Sequence, residues 1–459
     1  MMNGQMTKNG DFADRLLRKP YFYLLFTFVA VRANDLKKVE RAAFGLSDFD
    51  AAECFPFLRV FLWALCAAML GLYVYRWASG KIEKKQPMLL CFLGMHAALV
   101  AVTVFFKGAS GYWLHWVCAL CLMLALDMGL QRERASVLEG VSLAFLLWLA
   151  LNVPARLLWP QGLNYRQALQ VWYTEVPENA EARFVPEWLI GNRVFYYRLA
   201  YPALCLEMIR AQVKHGRYTW RTALALALVL FAVGTQRGGT ALLGFALLIG
   251  MLAFFNRRAL PRWAIPAVML GVSVLLFLGM HFLNVQEAFG FLIRDRLGKD
   301  SDMSQRTKVW TESLKIIRRY PLTGVGLLPV EYMRQLFGST FEQPLNHTHN
   351  QILELLLHGG LLALLPYLGM VYIATRQTLL YRRSAAVKTA AILLMTFLFM
   401  GTVDIFHNEP IYYPLFMLLA RADRLAEGGK ALPRISLWER ARRDVRGRGK
   451  RAFFWLAPR

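Results

Sequence analysis

The stretch Asn346-His347-Thr348-His349-Asn350-Gln351-Ile352-Leu353-Glu354 sets two histidines where a long polar segment re-enters an apolar helix. Thr348 with Gln351 three residues later reads as a capping box, which predicts Thr348 as the N-cap. His349 and Asn350 then fall in the first helical turn, beside unpaired backbone N–H groups and the positive end of the helix dipole. That setting attracts anions and disfavours imidazolium. A neutral imidazole beside a bound anion suits a general base at neutral pH. The plainer alternative is a polar helix start at a membrane surface.

Cationic groups that could serve such a base lie elsewhere in the chain. Arg237 sits in Thr235-Gln236-Arg237-Gly238-Gly239, between two apolar runs with almost no loop. A charge so close to hydrocarbon is costly and tends to be paired or functional. The glycines let backbone approach a ligand, although an arginine can also snorkel to the headgroups. Arg198 in Tyr196-Tyr197-Arg198 is a similar case, and Arg193 a weaker one. Ser304–Arg319 reads as an amphipathic helix with Trp310, Leu314 and Ile317 on one face and Arg306 heading that stripe. Pro321 ends it, and Thr323-Gly324-Val325-Gly326 makes a tight turn. Arginine forks suit phosphate oxygens, so the implied ligand is a phosphate or pyrophosphate at the outer membrane surface. No P-loop, metal-ligand set or Ser-His-Asp arrangement is evident. His347-x-His349 lacks the cysteine or carboxylate company of a metal site, so no metal and no cofactor is expected. His96, His115 and His281 read as core or interface residues, and His215 falls in an inner loop.

The elements that must position these residues are membrane helices. The chain has 459 residues, of which 57% are hydrophobic, and a mean hydropathy of +0.35. Apolar runs of about twenty residues recur along it, each able to span a bilayer. Spans are expected at Pro20–Val31, Phe57–Tyr75, Met88–Phe106, Tyr112–Leu130, Ser136–Val153, Val194–Ile209, Thr219–Gly234, Thr240–Phe255, Ala264–Leu283, Asn350–Ala374, Ala385–Val403 and Ile411–Ala420. The fold class is thus an all-α polytopic membrane protein of about 12 spans. Residues 1–283 would carry nine spans with an outer loop at 154–192, and residues 284–349 a long outer loop. Residues 350–422 would carry the last three, and 423–459 a basic inner tail with Trp438, Phe453, Phe454 and Trp455 as a surface anchor.

The net charge of +24 argues for topology and against nucleic acid, because it collects in short loops and the tail. With the N-terminus inside, every inner loop is basic, both termini are inside, and the two long polar segments face outward. The outer loop's Trp159, Trp172 and Trp188 suit an interface anchor or a sugar-stacking surface. Cys118 and Cys121 form a C-x-x-C inside an apolar run and read as a buried structural pair, with no disulfide framework among the six cysteines.

The pattern His347, His349, Asn350, Leu353, Glu354 and Gly359 resembles the O-antigen ligase family, which includes O-antigen polymerases and protein O-oligosaccharyltransferases. Arg237-Gly238, Arg306…Trp310 and Tyr320-Pro321-Leu322-Thr323-Gly324-Val325-Gly326 extend the resemblance over about Arg221 to Val403. Gln236 departs from it, standing where serine is usual before Arg-Gly. The resemblance implies a GT-C-like glycosyltransferase at the periplasmic face of a Gram-negative inner membrane. Its donor would be a glycan on undecaprenyl pyrophosphate and its acceptor the lipid A core oligosaccharide. His349 would be the base and Arg237 and Arg306 the pyrophosphate clamp, with inversion at the anomeric carbon and neither ATP nor metal. Arg198, Arg193, His347, Asn350 and Glu354 complete the expected substrate-binding set. A polymerase or a protein oligosaccharyltransferase would share that donor site; the compact outer loop favours the ligase. From another class, a twelve-span transporter would show two related halves and lined-up intramembrane acids, whereas Asp127, Glu139, Glu207 and Asp404 are scattered.

Overall fold

The computed structural model describes residues 12–31, 56–83, 86–108, 113–160, 187–192, 196–236, 239–285, 306–328, 332, 336–337 and 347–426. In chain order the elements are α1 (Phe12–Leu17), α2 (Pro20–Val31), α3 (Pro56–Ala78), α4 (Pro87–Phe105), α5 (Trp113–Arg132) and α6 (Arg134–Leu158). A two-residue hairpin, β1 (Glu187–Trp188) and β2 (Gly191–Asn192), precedes α7 (Tyr197–His215), α8 (Trp220–Gln236), α9 (Gly239–Phe255) and α10 (Pro266–Phe282). The chain continues with α11 (Arg306–Arg319), α12 (Gln351–Tyr381), α13 (Ala385–Met400), α14 (Tyr412–Ala420) and α15 (Ala422–Leu425).

A helix occupies each expected span. Among the described residues, α3, α4, α5, α6 and α12 are long and apolar enough to cross a bilayer. Crossing by the shorter helices belongs to the topology proposed below. Three helices run more than a turn past their expected ends: α6 through Pro154 to Leu158, α7 to His215 and α12 to Tyr381. The Cys118–Cys121 pair is buried in α5, with Cys121 Sγ 3.5 Å from the carbonyl oxygen of Cys66 in α3.

Acidic residues inside this apolar setting are all satisfied by cations. Asp127 binds Arg421, Glu139 binds Arg210, Lys214 and Arg221, and Glu207 binds Arg210 and Arg221. A buried carboxylate without such a partner would be too costly to keep charged. These pairs tie α5 to the α14–α15 junction and α6 to α7 and α8, joining elements far apart in sequence.

The most consequential joint lies inside α12. Gly360 has φ +56°, and the helix breaks there. The turn after α11 fills the break by exchanging partners with it. Leu361 and Leu362 donate their N–H groups to the carbonyls of Pro321 and Leu322 (3.0 and 3.1 Å), while Val325 and Gly326 donate to those of Leu357 and His358 (2.8 and 3.0 Å). Each segment thus satisfies the backbone groups the other leaves open, as burial requires. A Cβ on Gly360 would lie 2.3 Å from the Leu322 carbonyl, so this approach needs glycine. Leu327 N–H on Thr103 Oγ1 (2.9 Å) fixes the same turn to α4. The turn expected at Thr323–Gly326 is therefore the device that mounts α11 on the bundle.

Candidate active site

The α12 N-terminus differs from the sequence expectation in one respect that changes the chemistry. Asn350, not Thr348, is the N-cap: its Oδ1 accepts from Ile352 and Leu353 N–H, each at 3.0 Å. Its Nδ2 donates to the Thr402 carbonyl (3.0 Å), and Gln351 N–H goes to the Gly401 carbonyl (2.8 Å). The first-turn N–H groups are thus consumed within the protein. The open anion-binding helix end expected from the capping box is not there, and attraction of an anion falls to side-chain cations. Asparagine wins the cap because its short amide can accept from the helix and still donate to the neighbouring chain.

His349 consequently precedes the helix, and it takes a left-handed conformation, φ +54°. Such a conformation costs of order 1 kcal/mol in a non-glycine residue and persists only where its surroundings enforce it. Here they do. Glu354 Oε2 accepts Thr348 N–H at 2.7 Å, and the buried Trp310 indole donates to the Thr348 carbonyl at 2.9 Å. Thr348 Oγ1 adds a contact to the Asn350 N–H (3.3 Å). Thr348, between the two histidines, is therefore pinned through both its N–H and its carbonyl. The two imidazoles meet edge to face, 3.9 Å between centroids.

Trp310 belongs to the face of α11 that turns inward with Val309, Ser313 and Ile316, while Leu314 and Ile317 pack at its margins. Its ring stands edge-on against Phe277 of α10, 5.0 Å between centroids. Arg306 opens this helix one turn before Trp310, as the stripe predicted, and is half-buried. It lies within electrostatic reach of both histidines and of Asp404.

Burial pushes His349 well below the ordinary imidazole value, and His347 and Arg306 push it further down. Burial lowers His347 as well, with Glu354 and Asp404 opposing. Burial also lowers Arg306, against Asp404 and Tyr197. The two histidines are accordingly biased toward their neutral forms beside Arg306, and a nearby anion would favour their protonation.

Arg198, at the start of α7, joins the same group but is already engaged. It donates to Asp404 Oδ1 (2.9 Å) and to Glu409, and Tyr197 donates to Asp404 Oδ2. Asn350 and Glu354, both expected to touch substrate, are buried and spend their polar atoms inside the protein. Arg193 and Arg237 lie outside the described residues. The structure therefore assembles His347, His349, Arg306 and Arg198 from three separate stretches of chain. It adds Asp404, Glu409 and Tyr197, which sequence reasoning did not assign to the site. Asp404 was visible only as an intramembrane acid, since its partner stands 206 residues away.

Residues 222–368 match the family model described as O-antigen ligase. That stretch contains His347, His349 and Arg306, whereas Arg198 and Asp404 lie outside it. No curated protein matches the chain.

Proposed function

We propose that this chain, whose residues 222–368 match the O-antigen ligase family model, is a glycosyltransferase that transfers a lipid-linked glycan to the lipid A core oligosaccharide. The observation that carries this reading is the neutral His349, held beside Arg306 in the matched stretch by Trp310 and Glu354. The donor in this reading is undecaprenyl pyrophosphate bearing the glycan, and the site faces the periplasm with both termini cytoplasmic. The basic inner loops support that orientation.

The chemistry follows from the charges. The acceptor hydroxyl oxygen attacks the anomeric carbon as the carbon–oxygen bond to pyrophosphate breaks. The bonding pair leaves on the pyrophosphate oxygen, and the hydroxyl proton passes to His349. Arg306 and Arg237 stabilise the charge that develops on the leaving group, where fixed cations are worth most. The incoming pyrophosphate also raises the basicity of His349, because a nearby anion favours imidazolium. Substrate binding thus switches on a base that is weak in the free protein. A direct displacement inverts the anomeric centre, and the pyrophosphate bond supplies the driving force without ATP or a metal.

A transporter reading loses support, since Asp127, Glu139, Glu207 and Asp404 are each held in an ion pair. The test is transfer by purified protein from lipid-linked glycan to lipid A core, with EDTA present and ATP absent. Wild type should transfer, and His349→Ala should lose at least about a hundredfold, the scale of general-base catalysis. Equal activity in His349→Ala would refute the assignment. Lengthening of the lipid-linked glycan, with no product on the core, would identify a polymerase. Glycan appearing on protein serine or threonine would identify an oligosaccharyltransferase.

A further inference from the structure

His358 lies one turn beyond Glu354 on the same side of α12, and both side chains are buried. Its ring is held between two acceptors. Nδ1 is 2.6 Å from the Gly326 carbonyl oxygen, and Nε2 is 3.3 Å from Glu354 Oε1. A neutral imidazole has one N–H and can serve only one acceptor. With both nitrogens facing acceptors, the arrangement is that of an imidazolium paired with a carboxylate. Glu354 meanwhile uses its other oxygen to hold Thr348 N–H at 2.7 Å.

We propose that the Glu354–His358 ion pair is a positioning element for the transfer reaction, coupling the turn that mounts α11 to the loop that carries His349. The inference rests on the ligase reading above. Its logic is mechanical. The turn at Gly326 follows the helix that presents Arg306, and Thr348 precedes the base. One buried pair links them, so the leaving-group cation and the base are held in register with each other. The pair also supplies a carboxylate near the two histidines without adding net charge to the site. Other titratable groups nearby are His347 on the base loop and His407 on the α13–α14 connection.

Three variants test this in the transfer assay. Glu354→Gln can keep every hydrogen bond: its amide oxygen accepts Thr348 N–H, and its NH2 donates to a neutral His358 that still donates to Gly326. Only the charges vanish. The expected result is a kcat about tenfold lower with KM for donor and acceptor unchanged, since geometry is nearly kept and a small misplacement costs rate rather than binding. His358→Gln keeps the approach to Glu354 but loses Gly326, and leaves a carboxylate without its cation; kcat should fall at least about fiftyfold. Combining the two removes that lone carboxylate and should recover at least about fivefold over His358→Gln, the signature of a coupled pair.

Wild-type kcat in Glu354→Gln, or losses that simply multiply in the double variant, would overturn the inference while leaving the ligase reading intact. If His358→Gln is not recovered in folded form, Glu354→Gln decides alone through its kcat-against-KM split at unchanged melting temperature. Absence of transfer by wild type would instead remove the ligase reading, and the inference with it.

Discussion

Trp310→Phe is the substitution that most directly asks whether the base loop is held or merely rests where it is. Phenylalanine keeps a ring against Phe277 and removes the indole N–H that donates to the Thr348 carbonyl at 2.9 Å. That carbonyl is left without its donor in a buried setting, a loss of about 1–3 kcal/mol. The strain of the left-handed His349 is of similar size, so the held loop and a relaxed one come within reach of each other. Taking 1.4 kcal/mol as the shift, the competent loop becomes about tenfold scarcer relative to the relaxed one. The rate should follow, because His349 acts only when it is placed. Binding should not, because the arginines that hold the donor in the proposed mechanism are untouched. Steady-state transfer at saturating acceptor should therefore show kcat reduced between about twofold and about tenfold, with the donor KM within twofold. A wild-type kcat would refute the claim that Trp310 holds the base, and a change confined to KM would move Trp310 into the binding surface.

Three further outcomes are expected. Because burial holds His349 and His347 below the ordinary imidazole range, kcat/KM should stay level as pH falls from 8 to about 5.5. An unperturbed imidazole base would lose about tenfold by that point, and such a loss would refute the buried, neutral base. Folding stability has the matching sign: below about pH 6.5 the unfolded chain takes up protons at these histidines that the folded protein does not, so stability falls with pH. Gly360→Ala should destabilise the protein by about 3 kcal/mol or more through a Cβ in the Leu322 carbonyl and an unfavourable backbone conformation. Gly250→Ala, whose Cβ would meet nothing within 4 Å, is the control. Equal thermal melting of the two variants in detergent would show that the exchange of partners at Gly360 is not a structural joint.

What could be read from the sequence and what could not divide along a physical line. Hydropathy acts over one helix at a time, so the helices, the amphipathic segment around Trp310 and its stop at Pro321 were legible from local pattern. The same locality misled at Thr348. Thr348 and Gln351 fit a capping box, but Asn350 is a better acceptor for the first turn once Thr402 is there to take its amide protons. Thr402 stands 52 residues further on, where no local rule can see it. Arg198 shows the same limit. Alone it is an uncommitted cation; beside Asp404 and Glu409 it is one already spent.

That difference bears on how the site divides its cations. Arg198 has its charge already offset by two carboxylates, whereas the charge of Arg306 is disfavoured by its own burial and favoured only at a distance by Asp404. Arriving pyrophosphate gains most from the cation whose desolvation is least compensated. In the proposed mechanism Arg306 is therefore the better first ligand of the two. There Arg198 would instead offset part of the negative charge of Asp404 and Glu409, lessening their repulsion of a donor that arrives at the His349 loop.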